Sequence, residues 1–222
     1  MPFPLTPDAL DTCMKDVFDY QYPDFAAANN LVGGGGYENW ALVNFLRYLK
    51  YRYGDFDYRR EFPAQRTGGT QVRVDLAFNA NSVTPATPLI LTEWKCNPDL
   101  NALATGCTQD VQKFVDVLGF YGSRKFYPLP LVFGIGPDGP PVANGFTKFG
   151  FGSGLALYAS SPATWSALGL LGYTWYEHQP LPEPVAQDGA PPAPVLIANH
   201  PSRPRPPLPR RAEAEADLAE PV

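Results

Sequence analysis

Histidine is nearly absent: His178 and His200 are the only two in 222 residues. Imidazole-dependent nucleophilic chemistry and multi-histidine metal centres therefore have almost nothing to be built from. Cysteine is scarce too. Cys13, Cys96 and Cys107 are odd in number and show no C-x-x-C spacing, which argues against a disulfide framework and a thiolate zinc site and leaves reduced thiols as the expected state. No run of about 18 apolar residues exists to span a bilayer, so no membrane association is expected. The opening Met1-Pro2-Phe3-Pro4-Leu5 has no basic region ahead of an apolar stretch, so no secretory signal is visible and a cytoplasmic location is expected. A basic excess is also missing. The net charge is -5, which counts against a large nucleic-acid surface, since phosphate binding draws most of its affinity from Lys and Arg. An acidic protein can still act on nucleic acid when its carboxylates are neutralised by a bound cation and its basic groups are clustered locally.

What is present is apolar residues at 45% and aromatics at 14%, enough for one well-packed core. One α/β domain is expected over residues 1–179. From Pro180 the composition changes: twelve of the 26 prolines fall in the last 43 residues, without an aromatic residue. Residues 180–222 therefore read as a disordered Pro-rich tail. With four Arg and six acidic residues the tail is -2, leaving -3 for the domain. Within it, residues 203–211 carry P-x-x-P spacing flanked by arginines, which fits a polyproline-recognising partner; a solvated tail without a partner is the competing reading.

Along the domain, Thr6 and Pro7 open a helix over 6–19, with Leu10, Met14, Val17 and Phe18 at helical spacing. Residues 20–36 read as a loop. The run Gly33-Gly34-Gly35-Gly36 lacks the Gly-Lys-Ser/Thr ending of a phosphate loop and reads as a hinge. A second helix spans 37–52, with Leu42, Phe45, Leu46 and Leu49 on one stripe; Glu38, four residues before Leu42, emerges on that inward stripe. Its alternative role is to favour the helix dipole and curl out to water. Strands follow at 58–62, 71–78 and 89–95. The second alternates Val72, Val74, Leu76 and Phe78 against Arg73, Asp75 and Ala77, and the third places Glu93 and Lys95 on one face. The Asn-, Ser-, Thr- and Pro-rich stretch between them reads as a hairpin loop, making the two strands antiparallel and bringing Asp75 beside Glu93. A helix capped by Thr108 is expected to Tyr121, burying Val111, Phe114, Val115 and Leu118. A buried strand follows at 129–135, then a strand at 154–160 and a short helix at 162–172 holding Trp165. The aromatics Tyr48, Tyr51, Tyr53, Phe56 and Tyr58 are expected to pack mostly between helix and sheet.

Two strand-borne carboxylates a few ångströms apart repel unless a divalent cation lies between them, and hard oxygen ligands suit Mg²⁺ or Mn²⁺. A lysine on the same face can position the attacking water or help deprotonate it, and can offset charge that builds on a phosphate. Asp75, Glu93-Trp94-Lys95 and Glu38 thus point to phosphodiester hydrolysis. The arrangement resembles the PD-(D/E)XK, or restriction-endonuclease-like, nuclease superfamily over about residues 37–135. The resemblance implies an αβββαβ core with a mixed central sheet flanked by helices and a Mg²⁺-dependent endo- or exodeoxyribonuclease acting on DNA. It makes Asp75 and Glu93 the metal ligands, Lys95 the catalytic lysine and Glu38 an accessory ligand or water-positioning group. A homodimer is an open arrangement. Val74 stands where the family name has proline. Members often add a Gln or Lys from the helix after the third strand, but Gln109 and Lys113 fall opposite that helix's apolar stripe and are not carried over. Competing readings make Asp75 a salt-bridge partner of Arg73 or Arg66, and Glu93 with Lys95 a surface ion pair. At the level of function the competitors are a non-catalytic nucleic-acid-binding or assembly protein on the same fold, and a scaffold acting through its tail.

Overall fold

The structure is a computed structural model that describes residues 2–31, 37–81, 83, 87–122, 128–150 and 154–168. The Gly33–Gly36 run, the tail from 180 and its P-x-x-P segment lie outside the described residues. The elements run α1 (Pro7–Tyr20), α2 (Tyr22–Leu31), α3 (Glu38–Tyr53), β1 (Tyr58–Gln65), β2 (Gln71–Phe78), β3 (Ile90–Cys96), α4 (Leu100–Gly122), β4 (Leu129–Pro137), β5 (Thr147–Gly150), β6 (Leu155–Ala159) and α5 (Pro162–Ala167).

The class is mixed α/β, with one six-stranded sheet ordered β1-β2-β3-β4-β6-β5. Antiparallel pairing joins β1 to β2 and β2 to β3, as the hairpin reading expects, whereas β4 lies parallel to β3. Parallel neighbours need a crossover, and α4 supplies it. Helices cover both faces. On one, α1, α2 and α3 pack over Leu76, Phe78, Ile90, Trp94 and Phe133. On the other, α4 packs over Ala77, Leu91, Val132 and Tyr158. Trp94 lies 5.0 Å from both Phe45 and Phe133, centroid to centroid; burying each such ring stabilises by about 1.5–3 kcal/mol. Close approach of α4 to the sheet depends on glycine in β4: a Cβ at Gly134 would lie 2.9 Å from Cys107 Sγ.

Several expectations are corrected. Residues 22–31 are helical, not loop, because Phe25 is fully buried against Phe18 and Trp40 and tertiary packing overrides a weak apolar pattern. The fourth helix starts at Leu100, two turns before Thr108: the Asp99 carboxylate caps it by accepting from Ala102 N–H at 2.8 Å, while Thr108 Oγ1 donates to the Ala104 carbonyl within the helix. Val117, not Val115, is then in the core. Strand β5 had no pattern in the sequence, because a four-residue edge strand with mostly exposed side chains carries none. Of the five aromatics expected to pack mostly between helix and sheet, Tyr48, Tyr53 and Phe56 pack against the core, whereas Tyr51 and Tyr58 are 46% and 45% exposed. All three cysteines are buried free thiols. Among the described residues no helix is long and apolar enough to cross a membrane.

The N-terminal segment is tied down at Phe3, whose N–H donates to the Asp55 carbonyl at 2.7 Å, and at Leu5, by Asn79. Asn79, fully buried with φ 59°, donates to the Leu5 and Pro88 carbonyls at 2.8 and 2.9 Å and accepts from Leu5 N–H at 3.1 Å. Asn tolerates left-handed backbone better than other non-glycine residues, and its amide supplies the donors and acceptor in one side chain. Asn79→Ala is expected to cost about 2–3 kcal/mol, since buried backbone groups of Leu5 lose their partner. Urea denaturation reads this; a midpoint unchanged from wild type would show the clamp to be idle.

Candidate active site

The alternation expected for β2 breaks at Asp75. Val74 packs on the α4 side, whereas Leu76, two residues on, packs on the α1–α3 side. The backbone accounts for this. β1 pairs with β2 at Arg60↔Leu76 and Phe62↔Val74, with no pair between, and Glu61 at the gap has φ 49°. On the other side the β2–β3 ladder ends at Leu76↔Thr92. The Asp75 carboxylate fills the opening, accepting from Trp94 N–H at 2.9 Å. Asp75 is thus held between two strands at the point where they part, and its partner is neither Arg73 nor Arg66. Arg73 faces Glu61 at 3.8 Å, and Arg66 donates to Thr70 Oγ1 at 2.6 Å.

Glu93 and Lys95 share the α4 face of β3. Glu93 is only 1% exposed, so the surface ion-pair reading fails for it. Its partner is Lys113 of α4, whose Nζ lies 2.5 Å from Glu93 Oε1 and also donates to the Arg73 carbonyl at 3.3 Å. Lys95 Nζ lies 3.2 Å from Asp110 Oδ2 and 3.9 Å from Glu38 Oε1, and donates to the Trp94 carbonyl at 3.1 Å. The Lys95 stem runs over Gly106 of α4, where a Cβ would come within 3.1 Å of Cδ. Glu38 arrives from α3, whose start is fixed by the Tyr37 hydroxyl 3.1 Å from the Ile135 carbonyl at the end of β4.

All four predicted residues, Glu38, Asp75, Glu93 and Lys95, therefore enter one cluster, and α4 adds Asp110 and Lys113. Lys113 corrects the expectation that it points away: with α4 starting at Leu100, the inward stripe is Leu103, Cys107, Asp110, Phe114 and Val117, and Lys113 flanks it. Gln109 is exposed, as expected. The missed signal was Asp99 as a helix cap, which brings Leu103 and Cys107 into the helix and so extends the inward stripe past Asp110. Asp110 is 4% exposed and bridges both ammonium groups, with Lys113 Nζ 3.4 Å from Oδ1.

Four carboxylates face two ammonium groups here, and the electrostatics register the imbalance. Burial first, then repulsion from Asp75 and Asp110, lifts the Glu93 carboxyl to about 8, with Lys113 opposing. Burial likewise raises Glu38 and Asp110, each against the pull of Lys95. For Lys95, burial alone would lower the pKa, but Asp110 and Glu38 outweigh it and hold the ammonium well above the ordinary lysine range. Glu93 Oε1 and Asp110 Oδ2 are buried oxygens whose partners are the Lys113 and Lys95 ammonium groups, at 2.5 and 3.2 Å. Among the described residues no three His, Cys, Asp or Glu side chains converge as a metal-ligand set; the ammonium groups stand between the carboxylates. The four carboxylates, Glu38, Asp75, Glu93 and Asp110, outnumber the two ammonium groups that face them.

No family model, curated protein or solved structure matches the chain.

Proposed function

We propose that this chain is a metal-dependent nuclease of the PD-(D/E)XK kind that hydrolyses phosphodiester bonds in DNA. The observation that carries the reading is the surplus of carboxylates over ammonium groups around a buried Glu93. The element order supports it: a helix bearing Glu38, an antiparallel meander bearing Asp75 and then Glu93 and Lys95, a helix, and a strand parallel to the third. Asp75 and Glu93 would hold Mg²⁺ or Mn²⁺, with Glu38 as accessory ligand. A cation so bound would polarise the phosphoryl oxygen and lower the pKa of its water.

The chain's own residues do the rest. Lys95, kept protonated by Asp110 and Glu38, stabilises negative charge building on the phosphate; as an ammonium it orients water but does not deprotonate it. Asp110 aims Lys95. Lys113 neutralises Glu93 and stays tied to the Arg73 carbonyl, so a cation held at this site would share the Glu93 carboxylate with it.

The test separates binding from chemistry. Mn²⁺ titration followed by electron paramagnetic resonance is expected to show uptake in the wild-type protein and its loss in Asp75→Asn, and linear or circular DNA is expected to be cut with Mg²⁺ and spared in EDTA. Absence of Mn²⁺ uptake at millimolar metal removes the proposal. Uptake without cleavage leaves a non-catalytic protein on the same fold.

A further inference from the structure

The outer side of α3 and the edge strand β1 enclose a groove of about 770 Å³. Arg47, Lys50 and Arg60 supply its cations, and Tyr51, Phe56 and Tyr58 its rings. Residues 47 to 66 hold six of the chain's seventeen basic residues and only three of its 22 acidic ones, a net of +3 in a chain of -5. One acid reaches the groove: Asp55, which is paired with Lys50. Arg47 is exposed and makes no ion pair among the described residues. Arg60 donates to Asn39 Oδ1 at 3.0 Å, which ties the groove to the residue next to Glu38. At about 1.5 Å of rise per residue, Arg47 and Lys50 lie about 14 and 18 Å along α3 from Glu38.

We infer that this groove binds a single-stranded stretch of DNA leading away from the cluster, an inference that rests on the nuclease reading. Local positive charge in an acidic protein is complementary to a phosphate backbone. Half-exposed tyrosine rings beside it offer faces on which bases stack, and a base presents its face only when it is unpaired. That combination favours a single strand over a duplex. Val43, on the same wall of the groove as Tyr51, is 44% exposed.

Binding of a fluorescein-labelled twenty-nucleotide oligo(dT), measured by fluorescence anisotropy in EDTA, tests this. Arg47→Ser with Arg60→Ser, and separately Tyr51→Ala with Tyr58→Ala, are each expected to weaken binding about tenfold or more. For the arginine pair the slope of log K against log salt should also become shallower by about 1.4, at about 0.7 per lost phosphate contact. All four side chains are exposed, and circular dichroism checks that the variants fold. No binding by the wild-type protein, equal binding by both variants, or tighter binding of a twenty-base-pair duplex overturns the inference. Because EDTA blocks any metal-dependent step, the assay reads the groove alone: failed cleavage with intact oligonucleotide binding sinks the nuclease reading, and the converse result sinks the groove.

Discussion

Lys95→Ala is expected to slow DNA cleavage by about 10²–10⁴-fold, the range that a positioned charge or proton-transfer group contributes. No other cation can stand in. Lys113 is committed to Glu93 at 2.5 Å and to the Arg73 carbonyl, and its Nζ comes from α4 rather than from the strand edge where Lys95 meets Glu38. Loss of the side chain leaves Asp110 with Lys113 at 3.4 Å, and its carboxyl, already raised by burial, can take a proton. The fold should therefore survive with a small change in melting temperature, and Mn²⁺ uptake should persist, because Asp75 and Glu93 are untouched. Single-turnover cleavage alongside Mn²⁺ titration resolves the two. A cleavage rate equal to wild type would remove Lys95 from the mechanism.

The sequence carried the part of this site that strand alternation encodes. Glu93 and Lys95, two residues apart on β3, had to share a face, and the antiparallel hairpin put Asp75 near Glu93. Alternation failed where the backbone departs from a regular strand. At Asp75 the ladders to both neighbours lapse and Glu61 takes a left-handed φ, so Val74 and Leu76 face opposite layers although their spacing says otherwise. Strain of this kind gathers at functional sites, and local propensity does not report it. The α4 contribution was lost for a different reason. Starting the helix at Thr108 rather than after Asp99 left out Leu103 and Cys107, the buried turns that centre the inward stripe on the side where Asp110 lies. Likewise, α2 is held by tertiary contacts, Phe25 on Phe18 and Trp40 and the Tyr22 hydroxyl on Leu155 N–H, that only the folded chain makes.

Glu93→Gln is expected to abolish cleavage and, in EDTA at pH 8, to make the protein more stable than wild type. The direction follows from proton linkage. In the folded chain the Glu93 carboxyl is lifted from 4.5 to about 8 by burial, then by Asp75 and Asp110, against Lys113. Between those two values the folded state keeps a proton that the unfolded state has released. Stability therefore falls as pH rises through this window, by about 1.4 kcal/mol per pH unit, and levels off above the folded pKa. Glu38 and Asp110, raised by the same burial, push in the same direction. Glutamine is neutral at every pH, so the variant loses the Glu93 share of the slope, on the order of 3–5 kcal/mol across the window. Urea midpoints at pH 5 and pH 8 in EDTA measure it, and parallel curves for the two proteins would refute the assigned shift. Metal reverses the order. A cation that binds only the folded state stabilises it by RT ln(1 + [M]/Kd), so wild type should gain from Mn²⁺ at pH 8 whereas Glu93→Gln should gain little. A wild-type protein that gains no stability from Mn²⁺ at pH 8 would remove Glu93 from the proposed ligand set.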